Sequence, residues 1–139
     1  MKTPLAQKHG LQEAVRNQVD LSLYISIVGS MQYLTLTRPD ITNAINLASQ
    51  FMQKHNEVHL HGVKMILRYI KGTLDYGLRF VQQSSPKLYD CSDADWVGCS
   101  LTMRSTTSYT IYLGANCISW FSRKQHTIAR STAEAEYRA

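Results

Sequence analysis

The hydrophobic period of this chain changes once, between residues 82 and 87, and that change limits the folds open to it. Before the break, apolar residues recur at intervals of three and four, as on one face of a helix. After it come short β-branched and aromatic runs bounded by turn residues. The order predicts an α+β fold: two or three N-terminal helices, then a three-stranded antiparallel sheet, then the start of another helix.

Within that frame, residues 1–20 are polar, lack a clear period and read as a leader; 21–84 form the helical segment and 85–139 the sheet-bearing one. Leu21 to Thr37 carries an apolar helical face and stops at Arg38-Pro39, because proline disfavours helix in the residue before it and has no N–H to donate. Asp40 is placed to cap the next helix, whose stripe is Ile41, Ala44, Ile45, Ala48 and Met52. The third helix has the strongest pattern, with Val58, Gly62, Met65, Ile66, Tyr69 and Ile70 on one side and Lys64, Arg68 and Lys71 off it. Gly72 then offers a left-handed cap. The strands are expected at Lys87–Trp96, Ser105–Leu113 and Cys117–Ser122, with Gly114-Ala115-Asn116 joining the last two as a hairpin, and a helix starts at Ser131.

Composition excludes several classes. At 44% apolar and 18% charged, 139 residues can bury a core, so wholesale disorder is not expected. No run approaches the length of a membrane span, and MKTPLAQKHG has no apolar stretch of the signal-peptide kind, so an intracellular protein without a membrane partner is expected. Cys91, Cys99 and Cys117 show no CxxC spacing, and an odd number without a secretory signal argues against a disulfide framework. His55, His59 and His61 pair with no cysteine, 59/61 is not a zinc-site interval, His126 has no partner at metal-ligand spacing, and no nucleophile elbow supports Ser-His-Asp chemistry. The formal charge of +5 and a pI near 9.2 favour polyanions through counterion release.

Chemistry concentrates in two acidic clusters and one basic one. YDCSDADW places Asp93 and Asp95 two apart on a strand, so both point to one face. Neighbouring carboxylates repel unless a cation lies between them, which makes them candidate ligands for Mg²⁺; the plainer alternative is a solvated strand end. In STAEAEYRA, Ser131 and Glu134 have capping-box spacing, each side chain serving the other's backbone N–H. Glu136, about 200° further round the helix, is therefore the better candidate to reach the sheet, against the alternative of a surface glutamate. Arg123, Lys124, His126 and Arg130 form a basic stretch suited to a phosphodiester backbone, or else a solvated loop.

LYISIVGSMQYLTLTRPDITNAINLASQFM and VKMILRYIKGTLDYGLRF resemble the stretch that closes the reverse transcriptase of copia-type retrotransposon Pol polyproteins. SDADWVG, RSTTSY and LGANCISWFSRKQHTIARSTAEAEYRA resemble the start of the ribonuclease H domain that follows it. The resemblance runs in unbroken order over about residues 21–139. It implies that the sheet is a partial ribonuclease H-like sheet, that Asp93 is the first catalytic and metal-binding carboxylate with Asp95 as its near alternative, and that Glu136 is the second. It also implies Mg²⁺ as the cofactor, Arg123, Lys124 and Arg130 as nucleic-acid contacts, and an RNA–DNA hybrid and the rest of the polyprotein as partners. In the family two later carboxylates complete the site. Cys99, Ser100, Leu101, Thr102 and Met103 stand where the family carries charge, Leu60 where tryptophan is usual and Ser108 where glycine is usual. The expectation is a polyprotein fragment with an incomplete active site, inactive alone. A non-catalytic nucleic-acid-binding module and a pseudogene product stand as alternatives.

Overall fold

In a computed structural model of the chain, which describes residues 3–5, 20–53, 55–82, 87–99 and 102–139, the first helix starts at a cap that sequence reading had assigned to the leader. The Asp20 carboxylate accepts the Ser22 N–H at 3.0 Å, and α1 (Leu21–Leu34) follows. Most of the expected leader, residues 1–20, lies outside the described residues. The chain divides into two compact units, Met1–Gly77 and Leu78–Ala139.

The first unit holds α1, α2 (Pro39–Ser49) and α3 (Glu57–Lys71). Their apolar stripes meet in one core of Tyr24, Val28, Met31, Ile41, Ala44, Ile45, Ala48, Val63, Ile66 and Tyr69. Each fully buried branched side chain here contributes about 2 kcal/mol. Two expectations need correction. Asp40 does not cap α2: Pro39, with its fixed φ, takes the first helical position and leaves Arg38 as the cap, so Asp40 falls in the first turn. Gly72 is not left-handed either, since its φ of −83° continues the right-handed turn while its N–H reaches Arg68 O.

Arg38 is instead the most enclosed charge among the described residues of this unit, at 6% exposure. Its guanidinium grips Asp40 through Nε and Nη2 at 2.8 and 2.7 Å and donates to Thr73 O at 2.9 Å and Thr73 Oγ1 at 2.8 Å. Tyr69 closes the cluster by donating its hydroxyl to Asp40 at 3.0 Å. These bonds tie the start of α2 to the end of α3, and they hold the Asp40 carboxyl below its ordinary pKa, Arg38 being the main cause. Asn56 caps α3 reciprocally with His59, whose N–H it accepts and whose Nδ1 takes the Asn56 N–H.

The second unit is a sheet of order β1-β2-β3, both pairings antiparallel, made by β1 (Leu88–Cys99), β2 (Arg104–Leu113) and β3 (Asn116–Lys124), followed by α4 (Thr132–Tyr137). The α+β order is as the change of period predicts. The link between β2 and β3 is tighter than expected, a turn of Gly114 and Ala115 with Gly114 at φ 61°, which glycine alone adopts without strain. Buried apolar contact is sparse here: Ala94, Ala129 and Ala135 form the cluster, with Ala139 against it. Trp120 is half-buried, not enclosed as a core residue. The sheet therefore depends more on its backbone ladder than on apolar burial.

Candidate functional site

The pleat of β1 decides where each acidic side chain goes. Asp93 pairs with Ser108, Ala94 with Thr107 and Asp95 with Thr106, in unbroken register up to Asp95. Successive strand side chains alternate, so Asp93 and Asp95 share one face and Ala94 points off the other. Both aspartates are exposed, and their face continues across the sheet through Ser108, Thr106, Ser122 and Lys124. Lys124 places its ammonium 3.9 Å from Cys99 Sγ.

Just beyond the acids, β1 loses register between Asp95 and Cys99. Val97 sits there at φ 55°, a conformation that a β-branched residue adopts only under strain of about 1–2 kcal/mol. Its N–H reaches Ser105 Oγ at 3.4 Å. A methyl group at Gly98 would fall 2.6 Å from Asp95 Oδ2, so this glycine makes room for the Asp95 carboxylate. Asp95 is thus folded back over the bulge, and Asp93 is the aspartate left facing outward on regular strand.

The layer on the Ala94 face is α4 with the segment leading into it. Ala94, Ala129 and Ala135 cluster, Trp96 Nε1 donates to Ala129 O at 3.1 Å, and Gln125 Nε2 bridges Thr107 Oγ1 and Ala135 O at 2.9 and 3.0 Å. Ser131 caps α4 by accepting the Glu134 N–H, as the spacing predicts. The return contact differs: Glu134 accepts the Arg130 N–H at 2.6 Å and pairs with Arg138, leaving the reciprocal capping box incomplete. Glu136 is exposed in this same layer.

Asp93 and Asp95 therefore point off one face of the sheet, while the helix carrying Glu136 covers the other. Among the described residues no group of three His, Cys, Asp or Glu side chains is placed to hold a metal ion. Two same-face carboxylates suit Mg²⁺ in kind, while Glu136 sits in the layer on the other side of the sheet and shares no cage with them in this arrangement.

The cations divide between the faces as well. Arg123 pairs with Thr107 and so lies on the Ala94 side, whereas Lys124 lies on the aspartate side; Arg130 is exposed before α4. A cleft of about 410 Å³ opens on the Ala94 side, lined by Tyr109, Phe121, Arg123, His126, Thr127 and Arg138 among others. Tyr109 and Phe121 stack across the strands, their centroids 5.2 Å apart and their planes 20° from parallel. Sequence reading missed this pair because a register shift between Ile111 and Tyr112 upsets counting back from the Gly114 turn. In the helical unit, α3 exposes Lys64, Arg68 and Lys71 along one side.

The class of the chain is α+β, a helical unit followed by an antiparallel sheet that carries carboxylates on an open face. Its relatives include retrotransposon Pol polyproteins. The retrovirus-related Pol polyprotein from transposon RE1 of Arabidopsis thaliana is 48% identical over 86% of this chain and 8% of its own length. An uncharacterized mitochondrial protein of Arabidopsis thaliana is 43% identical over all of this chain and 58% of its own length. A secreted RxLR effector protein of Plasmopara viticola is 43% identical over 84% of this chain and 82% of its own length. The chain belongs to the family of retrovirus-related Pol polyproteins of copia-type transposons. It spans little over half of the mitochondrial relative and less than a tenth of the Pol polyproteins. No protein-family model and no solved structure matches it. No helix among the described residues is long and apolar enough to cross a membrane.

Proposed function

We propose that the chain is a Pol segment that binds nucleic acid and lends carboxylates to hybrid hydrolysis without performing the cleavage itself. In this reading residues 21–84 derive from the end of a reverse transcriptase and 85–139 from the start of a ribonuclease H. The observation that carries it is the division of the acids across the sheet: Asp93 and Asp95 on one face, the layer of Glu136 on the other with Arg123 beside it. Any Mg²⁺ would be held through Asp93, with Asp95 beside it, and completed by carboxylates from elsewhere in a Pol polyprotein. Asp93 is the stronger ligand candidate because Asp95 lies folded against Gly98. Glu136 is the second acid by family position, and to share an ion with Asp93 it would have to leave the layer it occupies here.

Binding rests on cations. Arg123 and Arg130 are exposed, and α3 adds Lys64, Arg68 and Lys71; phosphate contacts of this kind release counterions and weaken with salt. The reading of a binding module without chemistry shares this surface and differs only in whether the acids ever meet a metal. Titrating the chain against a labelled RNA–DNA hybrid at rising salt tests the binding. The expected result is affinity that falls steeply with salt and drops about threefold or more in Arg123→Gln/Arg130→Gln. Affinity indifferent to both would sink it.

A further inference from the structure

We infer that the cleft between the end of β3 and the end of α4 is a binding site for a single-stranded nucleic acid segment, distinct from the acidic face of the sheet. This rests on the nucleic-acid reading above and narrows it to a strand form and a place.

Three observations converge. First, the Tyr109–Phe121 stack lies in the cleft, and β3 is the edge strand of the sheet, so no strand among the described residues lies beyond the Phe121 ring. An aromatic ring half-exposed at a sheet edge is a platform on which one more flat ring can stack, and unpaired bases use such platforms whatever their identity. Second, the charge is of one sign. Arg123, Lys124 and Arg138 line the cleft with His126 and Thr127, and no Asp or Glu side chain among the described residues lines it. Arg138 is already paired with Glu134 and hydrogen-bonded to Thr127 Oγ1, whereas Arg123 is exposed and forms no ion pair with a described residue. Lys124 sits on the opposite face of β3 with its ammonium 3.9 Å from Cys99 Sγ, which makes Arg123 the more exposed cation for a phosphate. Third, about 410 Å³ is enough for one or two nucleotides and too little for a duplex about 20 Å across, whose bases in any case present no open ring faces along their length.

The cleft lies on the Ala94 side of the sheet, so a strand held there does not run over Asp93 and Asp95. It would hold an unpaired end or an unpaired gap beside a duplex.

Fluorescence anisotropy with a 5′-labelled oligo-uridine and oligo-thymidine, compared with the blunt hybrid duplex of matching length, tests this. The single strands should bind more tightly than the blunt hybrid. Phe121→Leu should lower single-strand affinity about tenfold while leaving hybrid affinity within about twofold. Arg123→Gln should lower single-strand affinity and flatten its salt dependence. Because Phe121→Leu can disturb the sheet, photo-crosslinking of an iodouridine-substituted strand to the unmodified chain is read alongside, and adducts on Tyr109 or Phe121 are expected. A blunt hybrid bound more tightly than the single strands, or adducts mapping only to α3, would overturn the cleft assignment yet leave nucleic-acid binding standing. No binding of either form would overturn both. Uridine monophosphate alone competing at the oligonucleotide's own concentration would reassign the cleft to free nucleotides and equally overturn it.

Discussion

The two units of this chain solve the same problem with different materials. In the helical unit Tyr24, Ile41, Ile45, Val63 and Ile66 interlock at the centre of three helices, and the enclosed charge among its described residues, Arg38, has a partner for each group it presents. In the sheet unit the buried cluster consists of alanines, and much of both sheet surfaces carries hydroxyls, acids, cations and half-exposed rings. Tight packing makes a unit stable and leaves it little to offer a ligand. A sheet held mainly by its ladder keeps its side chains free for binding, with less margin against substitution. The acids, the cleft and the strained bulge all lie in the second unit.

This contrast can be broken in several places. The largest effect is expected at Arg38→Ala, which removes the donor to the buried Thr73 carbonyl and the ion partner of the partly exposed Asp40 and should destabilise the helical unit by about 2–3 kcal/mol, read from the urea midpoint of helical circular dichroism. Next is Ala94→Leu. With Ala94 and Ala135 already in contact and Ala135 fully enclosed, the larger side chain should cost the sheet unit about 2 kcal/mol, seen as early loss of amide protection in β1 while the helices stay protected. Val97→Gly should act in the opposite direction, relieving the positive φ and stabilising the sheet unit by about 1 kcal/mol in thermal melts.

The smallest effect concerns acid. The Asp40 carboxyl is held below its ordinary pKa, chiefly by Arg38, so the unfolded chain binds the proton more readily. Its contribution is complete above the unfolded value of about 3.9 and is lost as pH falls through the lower folded value. Urea midpoints of the helical unit should therefore decline below about pH 4, and Asp40→Asn should flatten that decline.

Much of the architecture could be read directly from the chain. The stripe of α3, the change to strands and the hairpin at Gly114 depend on local period and turn chemistry, which near neighbours encode. The Arg38 cluster could not be read this way, because Arg38 and Thr73 are 35 residues apart and meet only once the helices pack. Nor could the bulge at Val97, since a β-branched residue gives no local sign of positive φ. For the site, same-face placement of Asp93 and Asp95 followed from their spacing of two. Which face α4 would cover did not, because it depends on Ala94 and Ala135 finding each other across 41 residues. The stacked rings at Tyr109 and Phe121 were hidden by the register shift before Tyr112.

In the proposed reading, this chain carries acids for hybrid cleavage without assembling them into a working site. Incubating it with a labelled RNA–DNA hybrid and Mg²⁺, beside Asp93→Asn, measures that directly. The account predicts intact RNA at equal levels with both proteins. Mg²⁺-dependent cutting by the unmodified chain that disappears in Asp93→Asn would contradict it.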